Sequence, residues 1–407
     1  MEEFEYGIIG GGPAGYTAGM MLAGNGHSVV LFEKDKLGGT CLNKGCIPTK
    51  SFLHSSDVYS EIKNAENFGI KIDNIELDFS KVVEKKNSTV EKIRKSLELA
   101  VKNSGVKTVY AEACVKNKNV IEAGGEEYSV KHIILATGSK PREIRGLEFD
   151  GKFILSSDDI LNLTQIPKSV LIVGSGAIGI EWARILSNFG TEVFLTEMAE
   201  HLIPLADIEV SKRIERIFKQ KKLKFYLNDF VEKIENKKVT LKSGNVIEPE
   251  FILVAAGRIP ICPNCDCEKI LGDACGEIQL AHYAIHQAKQ FALGIPFDKN
   301  LIPSVIYGEP EIAWVGLREQ DMDENCKKSM LPITALGKSW CDDCTDGFIK
   351  VITKEDKIVG AHIVSKEASS LIHILLTAIQ NKICINDLKK MTYAHPTYSE
   401  GIFEVLM

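Results

Sequence analysis

Apolar positions along this chain change their period in a repeating order. Two short apolar runs, Tyr6–Ile9 and Ser169–Val173, each stop at a glycine cluster. A helix-length stretch follows each cluster and closes at Gly26 or Gly190. A second apolar run, Val29–Phe32 or Val193–Thr196, then ends in a glutamate. The pattern predicts strand, glycine turn, helix and strand, twice. The two copies, Ile8–Glu33 and Ile172–Glu197, superpose without a gap at an offset of 164 residues, with nine identities in 26 positions. Chance supplies on the order of two, so the unit is duplicated.

Elsewhere the pattern changes character. Ser80–Asn103 places Val83, Val90, Ile93, Leu97 and Val101 at helical spacing with charges between them, which predicts an amphipathic helix with a solvated polar face. His132–Leu135 leads into Ala136-Thr137-Gly138, and Phe251–Val254 into Ala255-Ala256-Gly257, both in the manner of strand ends. From about Leu301, short strands (Val305–Tyr307, Phe348–Ile352, Ile358–Val364) precede an apolar helix, Ser369–Gln380. The prediction is an α/β chain with two Rossmann-like dinucleotide-binding domains and a C-terminal α+β domain. The expected boundaries are 1–145, with a shortened 258–300 returning to it, then 146–257, then 301–407.

Each duplicated unit carries G-x-G-x-x-G, and the spacing has a mechanism. Gly10 and Gly174 make the tight turn, Gly12 and Gly176 let backbone approach a pyrophosphate, and Gly15 and Gly179 let helix pack on strand. The helix N-terminus offers free N–H groups and its positive dipole end to the phosphates. Glu33 and Glu197, each 18 residues after the last glycine, suit a ribose diol, and a carboxylate there disfavours a 2′-phosphate, selecting NAD over NADP. Two dinucleotides side by side imply a flavin beside a nicotinamide and hence hydride transfer.

Composition narrows the classes. The 407 residues are enough for two to four domains, and 44% hydrophobic with 26% charged residues is ordinary for a globular protein. A net charge of −6 gives the whole chain no electrostatic footprint for nucleic acid. No apolar run reaches membrane-spanning length, and the acidic start Met1-Glu2-Glu3-Phe4 lacks a secretory signal, so a cytoplasmic location is expected. Eleven cysteines, odd in number and unevenly spread, do not form a secreted disulfide framework.

Two cysteines have a telling context, Gly38-Gly39-Thr40-Cys41-Leu42-Asn43-Lys44-Gly45-Cys46-Ile47-Pro48-Thr49-Lys50. On a regular helix such a spacing separates Cα atoms by about 8.6 Å, beyond the roughly 7 Å limit of a disulfide. A bridge therefore needs a distorted turn, which Gly45 permits. Pro48 suits the first turn of a following helix, placing Cys46 near its N-terminus, where the dipole, Lys44 and Lys50 favour a thiolate.

This segment resembles the redox-active stretch of the class I pyridine nucleotide-disulfide oxidoreductases, the dihydrolipoamide-oxidising members above all. The resemblance extends through Gly10–Gly15, Ala136–Gly138, Gly174–Glu181, Gly257-Arg258, Gly272-Asp273, Leu280-Ala281-His282, Pro310–Ala313 and Ala394-His395-Pro396-Thr397-Tyr398-Ser399-Glu400. It implies FAD in the first unit and NAD in the second. Cys41 would meet the substrate and Cys46 the flavin, with Lys50 paired to Glu181 beside it. Asp273 would hold the ribityl chain with Ala281 close by, and Thr137 and Gly138 would line the same site. Ala113 would lie near the adenine half, and Val231 and Gly257 would line the NAD site. His395, held by Glu400, would act as the base for the substrate thiol and would come from the partner subunit, so a homodimer is implied. The implied substrate is a dihydrolipoyl group on a lipoyl domain of a 2-oxoacid dehydrogenase or glycine-cleavage complex.

The sequence also departs from that family. Only 14 residues separate Gly257 from Gly272, where relatives carry a much longer stretch that supplies a hairpin and most of the strand entering Gly-Asp. Weaker FAD binding is expected, and a flavoprotein sensor with negligible turnover is the corresponding alternative. In place of the hairpin stand Cys262, Cys265 and Cys267, with Cys275 shortly after and a second pair at Cys341 and Cys344. Their spacing matches no standard zinc pattern, so free thiols and no metal are expected. Among other flavin disulfide reductases, a mercuric reductase would end in a cysteine pair, whereas this chain ends Glu404-Val405-Leu406-Met407. A glutathione reductase would prefer NADP, which Glu197 disfavours.

Overall fold

The duplicated halves form two sheets with the same arrangement around their first strand. The computed structural model describes all 407 residues. In the first sheet, strand Glu2–Ile9 lies between Val29–Phe32 and Glu126–Leu135, parallel to both. Lys107–Val109 extends one edge, and an antiparallel meander of Val120–Ala123 and Ala113–Asn117 extends the other. In the second sheet, Ser169–Val173 lies between Glu192–Glu197 and Phe251–Val254, again parallel to both, with Lys224–Leu227 and Ile154–Leu155 outside. The repeat extends to register: Ile8 faces Leu31, and Ile172 faces Leu195. These central strands are buried on both faces, which is why they read as unbroken apolar runs.

The helices after the glycine turns run Pro13–Gly24 and Ala177–Asn188, and Gly26 and Gly190, with φ of +89° and +96°, end them in the left-handed conformation. The third sheet, entirely antiparallel, orders Ser304–Ile306, Glu311–Gly316, Lys357–Ser365, Phe348–Lys354 and Cys326–Pro332. Helix Ala368–Gln380 packs Leu371, Ile372 and Leu375 on its inner face.

Three expectations change. The strand ending at Leu135 begins at Glu126, because its first half alternates exposed and buried positions and so does not read as an apolar run. Strands Glu311–Gly316 and Cys326–Pro332 complete the third sheet, the latter as a polar edge. The amphipathic helix, Phe79–Asn103, does not keep all its charges in water: Lys86 is buried and donates to the Leu161 carbonyl at 3.1 Å. Its stripe is divided, Phe79 and Val83 packing on the second unit's core while Leu97 and Val101 pack on the first unit's.

Candidate active site

The redox pair sits at a break between two helices. Cys41 lies in the short helix Gly39–Lys44, Gly45 interrupts it (φ −152°, ψ −109°), and Cys46 opens helix Cys46–Lys63. A methyl group on Gly45 would press within 3.0 Å of the Thr40 carbonyl, so the break favours glycine. The loop is pressed onto the first glycine motif: the Gly38 N–H donates to the Gly11 carbonyl at 2.8 Å, and a side chain on Gly39 would come within 2.6 Å of the Gly12 Cα.

Both thiols are unbridged and hydrogen-bond to each other. The bond from Cys41, with help from the Lys50 charge, pulls Cys46 down to about 7. The same bond and burial push Cys41 up. Lys44, expected to help the thiolate, instead faces Asp35 at 3.6 Å. One helical turn beyond Cys46, Lys50 Nζ donates to both oxygens of the buried Glu181 at 2.8 Å. Glu181 stands on the second unit's glycine-loop helix, so this pair bridges the two units. Tyr307, which sequence reasoning missed, completes it: its N–H donates to Glu181 at 3.1 Å and its ring lies 4.6 Å from Lys50 Nζ. An aromatic residue closing a strand just before Gly308 was the only signal.

The glycines divide by role. Side chains on Gly10 and Gly174 would clash with the carbonyls of Ala136 and Ala255, and on Gly15 and Gly179 with the carbonyls of Gly10 and Gly174. The middle glycines differ: Gly176 has no atom within 4 Å of where a Cβ would sit, and Gly12 has only Gly39 at 3.8 Å. The fold does not need glycine there, whereas a pyrophosphate lying against the backbone does. The residues therefore fit two dinucleotides. Glu33 accepts from the N–H groups of Gly11 (2.9 Å) and Asp35 (2.8 Å), and Glu197 from those of Ser175 (2.8 Å) and Ala199 (2.9 Å). Each carboxylate thus braces its own glycine loop and keeps lone pairs for a ribose.

Asp273 lies in the turn Gly272–Cys275 and accepts from Ser139 Oγ at 2.6 Å, and Ser139 Oγ in turn accepts from Arg258 Nε at 2.8 Å. Ser139 was not singled out from sequence, and Arg258 entered there only as part of the resemblance, without a role. Ala281 opens helix Ala281–Leu293, and Gly138 (φ +75°) follows Thr137, which hydrogen-bonds the Ile261 carbonyl. Ala113 starts the meander's edge strand opposite Ala123, Val231 starts a small antiparallel strand opposite Leu241, and Gly257 has φ +93° with open space around it.

His395 Nδ1 and Glu400 Oε1 lie 2.8 Å apart, and the Thr397 N–H donates to the other carboxylate oxygen at 2.8 Å. Those contacts, Thr397 first, hold Glu400 below the usual carboxylate range. The imidazole is 76% exposed, and no hydrogen bond joins it to the cysteine pair of its own chain. Among the remaining cysteines, Cys265 and Cys267 hydrogen-bond to each other near Cys262 and Cys114, whereas Cys275 lies apart against Gln287. No group of three histidine, cysteine or acidic side chains is placed to hold a metal ion. No helix is long and apolar enough to cross a membrane.

Comparison with known proteins bears on the family and the fold. Residues 4–285 match the family described as pyridine nucleotide-disulphide oxidoreductase, and residues 302–406 match its dimerisation domain. The dihydrolipoyl dehydrogenase of Bacillus subtilis is 32% identical over 462 residues, covering 100% of this chain and 98% of that protein. That of Chlamydia pneumoniae is 32% identical over 443 residues, covering 98% and 95%. The crystal structure of LpdA from Mycobacterium tuberculosis superposes with a TM-score of 0.91 at 22% identity, covering 100% and 99%, which bears on the fold alone.

Proposed function

We propose, since the chain belongs to the pyridine nucleotide-disulphide oxidoreductase family, that it reoxidises dihydrolipoyl groups carried on another protein. It is a flavoprotein disulfide oxidoreductase using FAD and NAD(H). The observation that carries the finer reading is the cysteine pair with unequal thiols, Cys46 pulled down to about 7 and Cys41 pushed up, one turn from the Lys50–Glu181 pair. Relatives named dihydrolipoyl dehydrogenase, similar over their full length, support the choice of substrate.

In this reading Gly10, Gly12, Gly15, Glu33, Ala113, Thr137, Gly138, Asp273 and Ala281 hold FAD, and Gly174, Gly176, Gly179, Glu197, Val231 and Gly257 hold NAD. The resting pair is a Cys41–Cys46 disulfide. A substrate thiol gives its proton to the partner subunit's His395, which Glu400 orients, and the resulting thiolate attacks Cys41 Sγ. Cys46 departs as a thiolate, as its pKa near 7 favours. The second substrate thiol then closes on the substrate sulfur, forms the lipoyl disulfide and expels Cys41. Of the two substrate protons, one ends on Cys41 and the other on His395, and two electrons reside in the cysteine pair. Bound FAD supplies a two-electron relay from the Cys46 side to NAD⁺, with Lys50 and Glu181 beside it. Because His395 is exposed and unattached to its own chain's cysteines, the site is complete only in a homodimer.

The test is steady-state oxidation of dihydrolipoamide by NAD⁺ with purified holoprotein, run beside reduced glutathione. Turnover with dihydrolipoamide and none with glutathione is expected. A protein whose flavin NADH reduces but which leaves dihydrolipoamide untouched would overturn the substrate assignment while leaving the family intact.

A further inference from the structure

Arg184 follows Glu181 by one turn on the same helix and is held where three parts of the chain meet. Its Nε lies 3.6 Å from Asp57 on the redox helix, and Asn188 Nδ2 fixes that carboxylate at 3.1 Å. Its Nη1 lies 3.5 Å from the Pro310 carbonyl in the third unit. Between these contacts the guanidinium occupies the space a side chain at residue 308 would need. A Cβ there would fall 2.5 Å from Arg184 Nη1 and 2.7 Å from its Cδ, and Gly308 has a φ of +144°. Gly308 directly follows Tyr307, whose N–H binds Glu181 and whose ring underlies Lys50. Arg184 Nε has no hydrogen-bond partner, so full satisfaction of its polar atoms does not account for a buried guanidinium here.

We propose that Arg184 is a positioning residue for the Lys50–Glu181 pair: packed against Gly308 and tied toward Asp57 and Pro310, it fixes the end of strand Ser304–Ile306 so that Tyr307 holds both partners. The proposal rests on the reading of Lys50 and Glu181 as the flavin-side pair, not on the identity of the dithiol substrate. A long cation wedged against a glycine backbone acts as a spacer whose length sets where Tyr307 lies. Lysine keeps the charge and much of the length, whereas methionine keeps bulk alone and removes the guanidinium that faces Asp57.

The experiment uses FAD-loaded holoprotein reduced anaerobically with NADH, following the long-wavelength thiolate-to-flavin absorbance across pH in wild type, Arg184→Met, Arg184→Lys and Gly308→Ala. Lys50 helps hold Cys46 in its thiolate form, so a loosened Lys50 raises the midpoint of that absorbance. We expect Arg184→Met and Gly308→Ala to raise it by about one pH unit, a tenfold change in the thiolate-to-thiol ratio at fixed pH. Arg184→Lys should lie between them and wild type, with FAD content unchanged throughout. An unchanged midpoint in Arg184→Met overturns the proposal, as does a loss of FAD in both Arg184 variants without a shifted midpoint. If Arg184→Met does not fold, the midpoint of Gly308→Ala decides. No dihydrolipoamide enters the measurement, so failure of the substrate reading would show separately, in the turnover assay.

Discussion

Replacing Lys350 by methionine should unfasten the second and third units. Lys350 is 1% exposed, and its Nζ lies 2.7 Å from Asp207 and 2.5 Å from Glu319. Asp207 is itself fully buried, caps helix Ile208–Gln220 and accepts from the Glu319 N–H at 2.8 Å. His362, which faces Lys350 on the adjacent strand, lies 3.6 Å from Asp207 and hydrogen-bonds the Leu317 carbonyl. Methionine fills the volume but strands a carboxylate, and removing one partner of a buried pair costs about 3–5 kcal/mol. Two backbone N–H donors remain on Asp207 and Glu319 is partly exposed, so the lower end, about 3 kcal/mol, is expected.

The sign with pH is a second check. Burial would push Asp207 up, but His362, Lys350 and backbone N–H groups outweigh it and hold it below its usual range. The stability it contributes is present above its unfolded value and is lost as pH falls through the folded one. Burial, assisted by the Lys350 charge, holds His362 below its ordinary 6.5. Without Lys350, His362 takes a proton more readily beside Asp207, so the deficit of Lys350→Met should shrink between pH 8 and pH 5.5. Urea unfolding followed by fluorescence of Trp314 and Trp340 in the third unit, in a double-mutant cycle with Asp207→Asn, measures the coupling. A cost below about 1 kcal/mol, or a deficit that grows at acid pH, refutes the account.

The remaining expectations concern the site. The long-wavelength absorbance of the two-electron-reduced protein should appear as pH rises through about 7, following Cys46, and persistence at pH 5 would refute the thiolate assignment. His395→Ala should cut dihydrolipoamide oxidation by roughly 10²–10⁴-fold while NADH still reduces the flavin. Refolding that variant together with Cys41→Ser should restore activity through mixed dimers, and a dead mixture would refute a two-subunit site. Ser139→Ala removes the link between Asp273 and Arg258, and a hydrogen bond to a charged group is worth about 1.5–3 kcal/mol. FAD should then bind at least about tenfold more weakly in a fluorescence titration, and unchanged affinity would show that the link does not seat the cofactor.

What the sequence disclosed follows the range over which each signal acts. The glycine motifs, the carboxylates at the ends of their second strands and the cysteine loop are local, so spacing alone revealed them, whereas the matched bracing of the glycine loops by Glu33 and Glu197 emerges only in the structure. Lys50 and Glu181 lie 131 residues apart, and their pairing came only from the resemblance. Tyr307 acts through its backbone N–H and ring face, which no composition pattern marks. Lys86 reads as a solvated charge, and Lys350 goes unmarked inside strand Phe348–Ile352, because their buried partners, the Leu161 carbonyl and Asp207, are distant in sequence. Strand Glu126–Leu135 was half-read because its first residues are exposed on one face, and alternation over so few positions does not stand out.

The short stretch between Gly257 and Gly272 is anchored along its length by specific pairings. Residues Arg258–Pro260 pair with Ser139–Pro141, and Lys269–Ile270 retain a two-residue parallel pairing with Ile134 and Leu135. Beyond that stub, the Leu271 N–H donates to the Leu135 carbonyl at 2.8 Å and the Gly272 N–H to Gln287 Oε1 at 2.7 Å. Asp273 is held by Ser139, and Ser139 by two nitrogens of Arg258 at 2.8 Å. Every one of these anchors belongs to the first sheet, to the short strand Ser139–Pro141 that follows it, to helix Ala281–Leu293 or to the first residues after Gly257. Cys265 and Cys267 pack as small apolar groups on the first sheet's rear core, closing the shortcut without a hairpin. Asp273 is thus oriented across a short connection by Ser139 and Arg258, and FAD affinity should depend more on Ser139 than on the length of that connection.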